Sequence, residues 1–88
     1  MKTAFRESFE RDLKKIKDRK VLNRVFRAIQ NVEAAATLAD ISSLKKMSGA
    51  KDYYRIRSGS FRIGIIVEED TVEFVRCLPR KDLYRYFP

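Results

Sequence analysis

The run Tyr53-Tyr54-Arg55-Ile56-Arg57-Ser58-Gly59-Ser60-Phe61-Arg62-Ile63 limits what this chain can fold into more than any other stretch. Read as two short strands joined by a Ser-Gly-Ser turn, it has the two-residue side-chain period of a hairpin. Alternation puts Tyr53, Arg55 and Arg57 on one face and Tyr54 and Ile56 on the other, and across the turn Arg62 opposes Phe61 and Ile63. One face is then apolar and needs a cover. The other gathers guanidinium groups with no carboxylate between them.

The cover comes from upstream. Residues 2 to 6 read as a short first strand with Phe5 turned inward, and Ser8 as a helix N-cap, with Glu10 and Asp12 complementing the positive end of the helix dipole. Phe9, Leu13 and Ile16 form one apolar stripe, Lys17-Asp18-Arg19-Lys20 a connection, and Val21 to Ala36 a second helix whose apolar face is Leu22, Val25, Phe26, Ile29 and Val32. Two amphipathic helices on a short polar link predict an antiparallel hairpin that packs on something else. Thr37 to Ala50 lacks either period and reads as loop or single turns. Strands follow at 53–57, 61–68 and 71–78, with Glu68-Glu69-Asp70 as a turn and Pro79, which has no N–H to donate, ending the ladder. The expected fold is α+β, an N-terminal helical hairpin packed on a small antiparallel sheet in the order β-α-α-β-β-β.

Eighty-eight residues with 44% hydrophobic content support one small domain, residues 1–88. Twenty Lys and Arg against 12 Asp and Glu give a net charge of +8, so a polyanion is the natural partner and nucleic acid the leading one. Lys14, Lys15, Lys17, Arg19, Lys20, Arg24 and Arg27 line the outer faces of the helices, as a solvated surface or as phosphate contacts. The single cysteine, Cys77, excludes an internal disulfide framework and a Cys-rich zinc site and fits a reducing cytoplasm. The amino terminus is too charged for a secretory segment, and no apolar run approaches the roughly 18 residues of a membrane span, so a cytoplasmic protein with no membrane partner is expected.

Histidine is absent altogether. Acid–base chemistry at neutral pH would therefore fall to a carboxylate, Lys, Tyr or water, and a metal site would lack its commonest nitrogen ligand. Glu68-Glu69-Asp70 diverge on a tight turn, Glu33 and Asp40 have no motif spacing, and there is no phosphate-binding Gly loop, nucleophile elbow, zincin or zinc pattern. No metal or cofactor is expected. What remains is the arginine face and its tyrosines. Cleavage of a phosphodiester through the ribose 2′-hydroxyl needs a proton acceptor, cationic donors for the charge on the phosphoryl oxygens, and help for the departing 5′-oxygen. Arg55, Arg57, Arg62 and Arg80 could supply the cations, and Tyr84 could stack a base or move a proton. The competing reading leaves the arginines as solvent-side strand residues and the tyrosines as core.

The order of these pieces resembles the RelE/ParE superfamily of bacterial and archaeal type II toxins, and its RelE-like mRNA interferase branch in particular. The resemblance spans nearly the whole chain and rests on the helix pair before the meander, Leu44-Lys45-Lys46-Met47-Ser48-Gly49, Tyr54-Arg55-Ile56-Arg57, Ser58-Gly59-Ser60-Phe61-Arg62-Ile63 and Arg80-Lys81-Asp82-Leu83-Tyr84. It implies a toxin that cuts mRNA in the ribosomal A site, without metal, by attack of the 2′-hydroxyl, and that a small, acidic cognate antitoxin holds inactive. By the same resemblance Arg62 would hold the scissile phosphate, Arg80 would stabilise the transition state or leaving group, and Tyr84 would act in proton transfer or base stacking. Arg55 and Arg57, where lysines often stand, would neutralise charge and assist the base. RNA contact would extend over Arg55, Arg57, Arg62, Arg76, Lys81 and Arg85, with ribosomal RNA met by the basic helices. This chain carries Pro79 where many relatives have His or Gly, and it ends without the further helix some relatives continue into. Two other functions share the pattern's main features: a gyrase-poisoning toxin of the ParE branch, and a non-catalytic basic nucleic-acid-binding module.

Overall fold

The computed structural model describes residues 1–49 and 51–88. Its elements run β1 (Lys2–Phe5), α1 (Glu7–Lys15), α2 (Arg19–Ala34), a 3₁₀ turn at Leu38–Asp40, β2 (Leu44–Lys46), β3 (Tyr53–Ser58), β4 (Phe61–Glu68), β5 (Thr71–Pro79) and α3 (Arg80–Tyr86). The α+β class and the β3–β4–β5 meander are as the residue pattern predicts. The sheet is larger than expected, with five strands in the order β1-β5-β4-β3-β2, and it is mixed because β1 runs parallel to β5.

Other readings change. The segment read as loop, 37–50, contains β2, whose Leu44, Lys45 and Lys46 pair with Ile56, Arg55 and Tyr54; its last residue, Ala50, lies outside the described residues. Three residues are too few to show a period. Arg6, not Ser8, occupies the N-cap of α1 in extended conformation, because the Ser8 hydroxyl is turned toward β5, where it donates to the Val75 carbonyl at 2.6 Å. The tail forms a helix, α3. At the link, Asp18 caps α2 by accepting from the Lys20 N–H at 2.8 Å, which draws Arg19 and Lys20 into the helix.

The sheet is covered on both faces. Under α1 and α2 lies the larger core, where Phe9, Val25 and Val32 meet Ile56, Ile63, Ile65, Val72, Phe74 and Cys77. Phe5 and Phe26, both expected to point inward, are 44% and 49% exposed. Phe5 sits on an edge strand of the sheet, where its ring stacks on Phe74 at 5.1 Å and tilts against Phe9 at 6.0 Å while staying partly open to solvent. Phe26 lies off the stripe of α2 that Val25 and Val32 bury. On the opposite face Leu83 and Phe87, one turn apart along α3, pack with Met47, Ile66 and Val75. Gly64 makes this second layer possible. A Cβ there would lie 2.7 Å from the Phe87 ring, which also tilts against Tyr53 at 5.2 Å. No helix among the described residues is long and apolar enough to cross a membrane.

Candidate active site

The arginines meet through strand register. In the β3–β4 ladder Arg57 stands directly opposite Arg62 and Arg55 opposite Gly64, so Arg55 and Arg62 are diagonal neighbours on the face that α3 partly covers. Gly59, with φ of +60°, makes the tight turn that sets this register. Facing guanidinium groups oppose each other's charge, and among the described residues no carboxylate lies within ion-pair distance of Arg55, Arg57, Arg62 or Arg80.

Arg62 is the buried member, 8% exposed. Its Nη1 donates to the carbonyls of Gly59 at 2.8 Å and Phe61 at 2.9 Å, which aims the guanidinium back at the turn. Burial, first, and then the charges of Arg55 and Arg80, with a lesser contribution from Arg57, hold its pKa below the usual arginine value, against an opposing effect from Tyr84. Arg55 is fixed by donating to the Ser43 carbonyl at 3.1 Å, and its Nε is buried without a partner.

Helix α3 brings in the rest. The Arg80 N–H donates to the Ser60 carbonyl at 3.0 Å, tying the start of α3 to the β3–β4 turn. With Leu83 and Phe87 pressed on the sheet, Arg80 and Tyr84, also one turn apart, share another side of the helix. Together with Ser60, Pro79 and Lys81 they line an open depression of about 460 Å³. Tyr84 is 55% exposed there, its ring free for a ligand. The structure thus gathers Arg55, Arg57, Arg62, Arg80 and Tyr84, with Lys81 at the margin; Arg85 is exposed on α3.

Arg76 stands apart. Its Nε and Nη2 donate to the two carboxylate oxygens of Asp12 at 2.8 and 3.2 Å, and its guanidinium lies 5.8 Å from the centre of the Tyr86 ring. The hydrogen bond to Asp12, ahead of the opposing effect of burial, raises its pKa. Asp12, expected at the helix dipole, is instead 4% exposed and also accepts the Cys77 N–H at 2.9 Å.

Lys45 escaped the sequence reading as a site residue. It pairs with Arg55 across β2–β3 and, with Ser43, Leu44 and Arg57, lines a neighbouring depression of about 380 Å³. Recognising 44–46 as a strand would have put Lys45 on the arginine face. Ser60 was visible only as a turn residue, whereas its carbonyl anchors α3.

Comparison with known proteins agrees with this arrangement. A family model described as the ParE toxin of the type II toxin-antitoxin system parDE matches residues 4–84. A curated relative, Toxin RelE3 of Methanocaldococcus jannaschii, is 40% identical, and the match covers all of both chains. In the crystal structure of a RelB–RelE antitoxin–toxin complex from Methanococcus jannaschii, a chain 38% identical superimposes with a TM-score of 0.81, covering 97% of this chain and 99% of that one. An archaeal RelE–RelB complex from Pyrococcus horikoshii OT3 has the same fold at 17% identity, with a TM-score of 0.72 over 90% of this chain and 93% of that one. A match over nearly the whole length, in both sequence and fold, makes the chain a RelE-like member of the RelE/ParE family, the toxins of type II toxin–antitoxin systems.

Proposed function

We propose that this toxin is an mRNA endonuclease that acts on the ribosome as one domain over residues 1–88, without metal or other cofactor, by attack of a ribose 2′-hydroxyl on the adjacent phosphorus. The 2′-oxygen forms a bond to phosphorus as its proton leaves, the bond to the 5′-oxygen breaks, and that oxygen takes up a proton. The products are a 2′,3′-cyclic phosphate and a 5′-hydroxyl. One observation carries the reading: a nearly buried arginine, Arg62, whose charged neighbours are Arg55, Arg80 and Arg57 and which no carboxylate among the described residues pairs. Such a place costs the free protein repulsion and becomes favourable when a phosphoryl oxygen enters, most of all as negative charge builds on it.

In this reading Arg62 holds the scissile phosphate and Arg80, at the start of α3, stabilises charge on the departing 5′-oxygen. Tyr84 stacks a base with its exposed ring and moves a proton with its hydroxyl. Arg55 and Arg57, joined by Lys45, neutralise the phosphoryl charge. Arginine keeps its proton too firmly to serve as the base. Lys81 and Arg85 meet the flanking RNA, and the basic residues of α1 and of the start of α2, Arg19 and Lys20, meet ribosomal RNA. Arg76 is left out, because Asp12 holds its guanidinium. The partner is a small acidic antitoxin suited to the +8 charge of the chain, in keeping with the antitoxin-bound state of the two archaeal relatives.

The test is to add the purified chain to ribosomes translating a defined mRNA and map the cut ends. Arg62→Ala and Arg80→Ala should each lower the cleavage rate by roughly 10²–10³, with only a modest fall in RNA affinity. Tyr84→Phe, which keeps the ring, should lose proton transfer, and Tyr84→Ala stacking as well. Intact transcripts during growth arrest would sink the reading. Because the matching family model is that of ParE, the alternative is gyrase poisoning, and DNA breaks trapped in a supercoiling assay would establish it.

A further inference from the structure

A second cationic depression lies beside the arginine face, where the Arg57–Ser58 end of β3 runs past the end of β2. Along α2, Arg24, Arg27 and Asn31 stand at i, i+3 and i+7 and turn one side toward Arg57, Ser58 and Gly59, enclosing about 340 Å³. No carboxylate lines it. Among the described residues none of its three arginines has an ion-pair partner. Asn31 accepts the Ser42 N–H through Oδ1 at 3.0 Å, which leaves its NH₂ group as a donor. Ser58 is 8% exposed and its hydroxyl is buried with no hydrogen-bond partner at all. The Arg24 guanidinium lies so close to Gly59 that a Cβ there would be 2.6 Å from Nη1. The charged and amide groups that line the site, the Arg24, Arg27 and Arg57 guanidinium groups and the Asn31 NH₂, are therefore donors, which is what an oxyanion requires and what a cation would not tolerate.

We propose that this depression binds a backbone phosphodiester of the RNA strand whose scissile phosphate sits at Arg62. The proposal rests on the endonuclease reading for the identity of that strand. Continuity favours RNA: Arg57 and Ser43 line both this depression and the one holding Lys45 and Arg55, and Arg57 is the cross-strand partner of Arg62. A cationic track thus runs from Arg62 past the Arg57–Ser58 end of β3 to α2.

The experiment has two probes. In an amide chemical-shift titration, inorganic phosphate should move the signals of Ser58, Gly59 and Asn31. A short single-stranded 2′-O-methyl RNA of mixed sequence, which cannot be cut, should bind the Arg24→Gln/Arg27→Gln variant about tenfold more weakly at 0.1 M salt. The slope of log K against log salt should shrink by about 0.7, one single-strand phosphate contact. Both arginines are exposed on a helix, where Gln is a good helix former, so the variant should fold. Unchanged oligonucleotide affinity and slope in the double variant would overturn the proposal. So would phosphate shifts confined to the Arg62 face, or a variant that loses inorganic phosphate yet binds the oligonucleotide as before. If the parent chain never cuts mRNA but the double variant shows the affinity and slope changes, the endonuclease reading fails and the phosphate site stands.

Discussion

Arg62 carries its charge into a place with little water and mostly positive neighbours, where two peptide carbonyls accept from it and Tyr84 partly offsets the repulsion. A catalytic cation gains from such a position, because the repulsion present in the free state is relieved only when phosphate arrives. Cys77, one position beyond Arg76 on β5, shows the opposite use of burial. Desolvation, then the nearby Asp12 carboxylate, pushes its thiol up to about 12, so it stays protonated and inert in the fold. The thiol keeps its proton more firmly in the folded state than the ordinary value of 9.0 allows, so its contribution to stability is complete below about pH 9 and is lost as pH rises toward about 12. Over that window the parent should lose about 1.4 kcal/mol per pH unit relative to Cys77→Ala in urea unfolding. A thiol reagent at pH 8 should label the native protein only on unfolding. The presence of a single thiol was plain in the sequence; its inertness comes first from burial in the packed core and then from Asp12, 65 residues earlier.

At the scale of elements, α1 does what a strand would otherwise do. β1 pairs with β5 from Thr71 to Phe74, where a bulge leaves Val75 out of the β4 register. Beyond it the outer edge of β5 would be bare. Ser8 and Asp12, four residues apart and hence on one side of α1, take over by bonding the Val75 carbonyl and the Cys77 N–H. Asp12→Ala should therefore leave both the Arg76 guanidinium and the Cys77 N–H unpaired and cost about 3 kcal/mol, read from the urea midpoint at unchanged slope. Asp12→Asn, which keeps an acceptor, should cost less. None of this was legible locally: in a highly charged helix, Asp12 looks like a solvated dipole partner. The period of α1 and the strands of the meander were legible, because each spans enough residues for a pattern to repeat. β2 was not, being three residues long, and α3 carries too few apolar residues to announce itself as a helix.

For the molecule as a whole, the excess of positive charge and the unpaired arginine face make the free toxin a protein stabilised by its ligands. The uncleavable RNA should raise the melting temperature, by the equivalent of about 2.7 kcal/mol at a hundredfold excess over Kd. That gain should shrink in high salt and in Arg62→Ala, as seen by thermal scans with and without the oligonucleotide. The two periods and the Tyr53–Ile63 hairpin were sufficient for the α+β class and for a strand face that carries arginines, because these follow from neighbours within a few residues. The meeting of Arg62 with Arg80 and Tyr84, the capture of Arg76 by Asp12 and the depression between α2 and β3 were not contained there. They depend on which buried surfaces segments far apart in the chain find complementary. Leu83 and Phe87 dock where Gly64 leaves room, and that packing, together with the Arg80–Ser60 backbone bond, carries Tyr84 to the arginines.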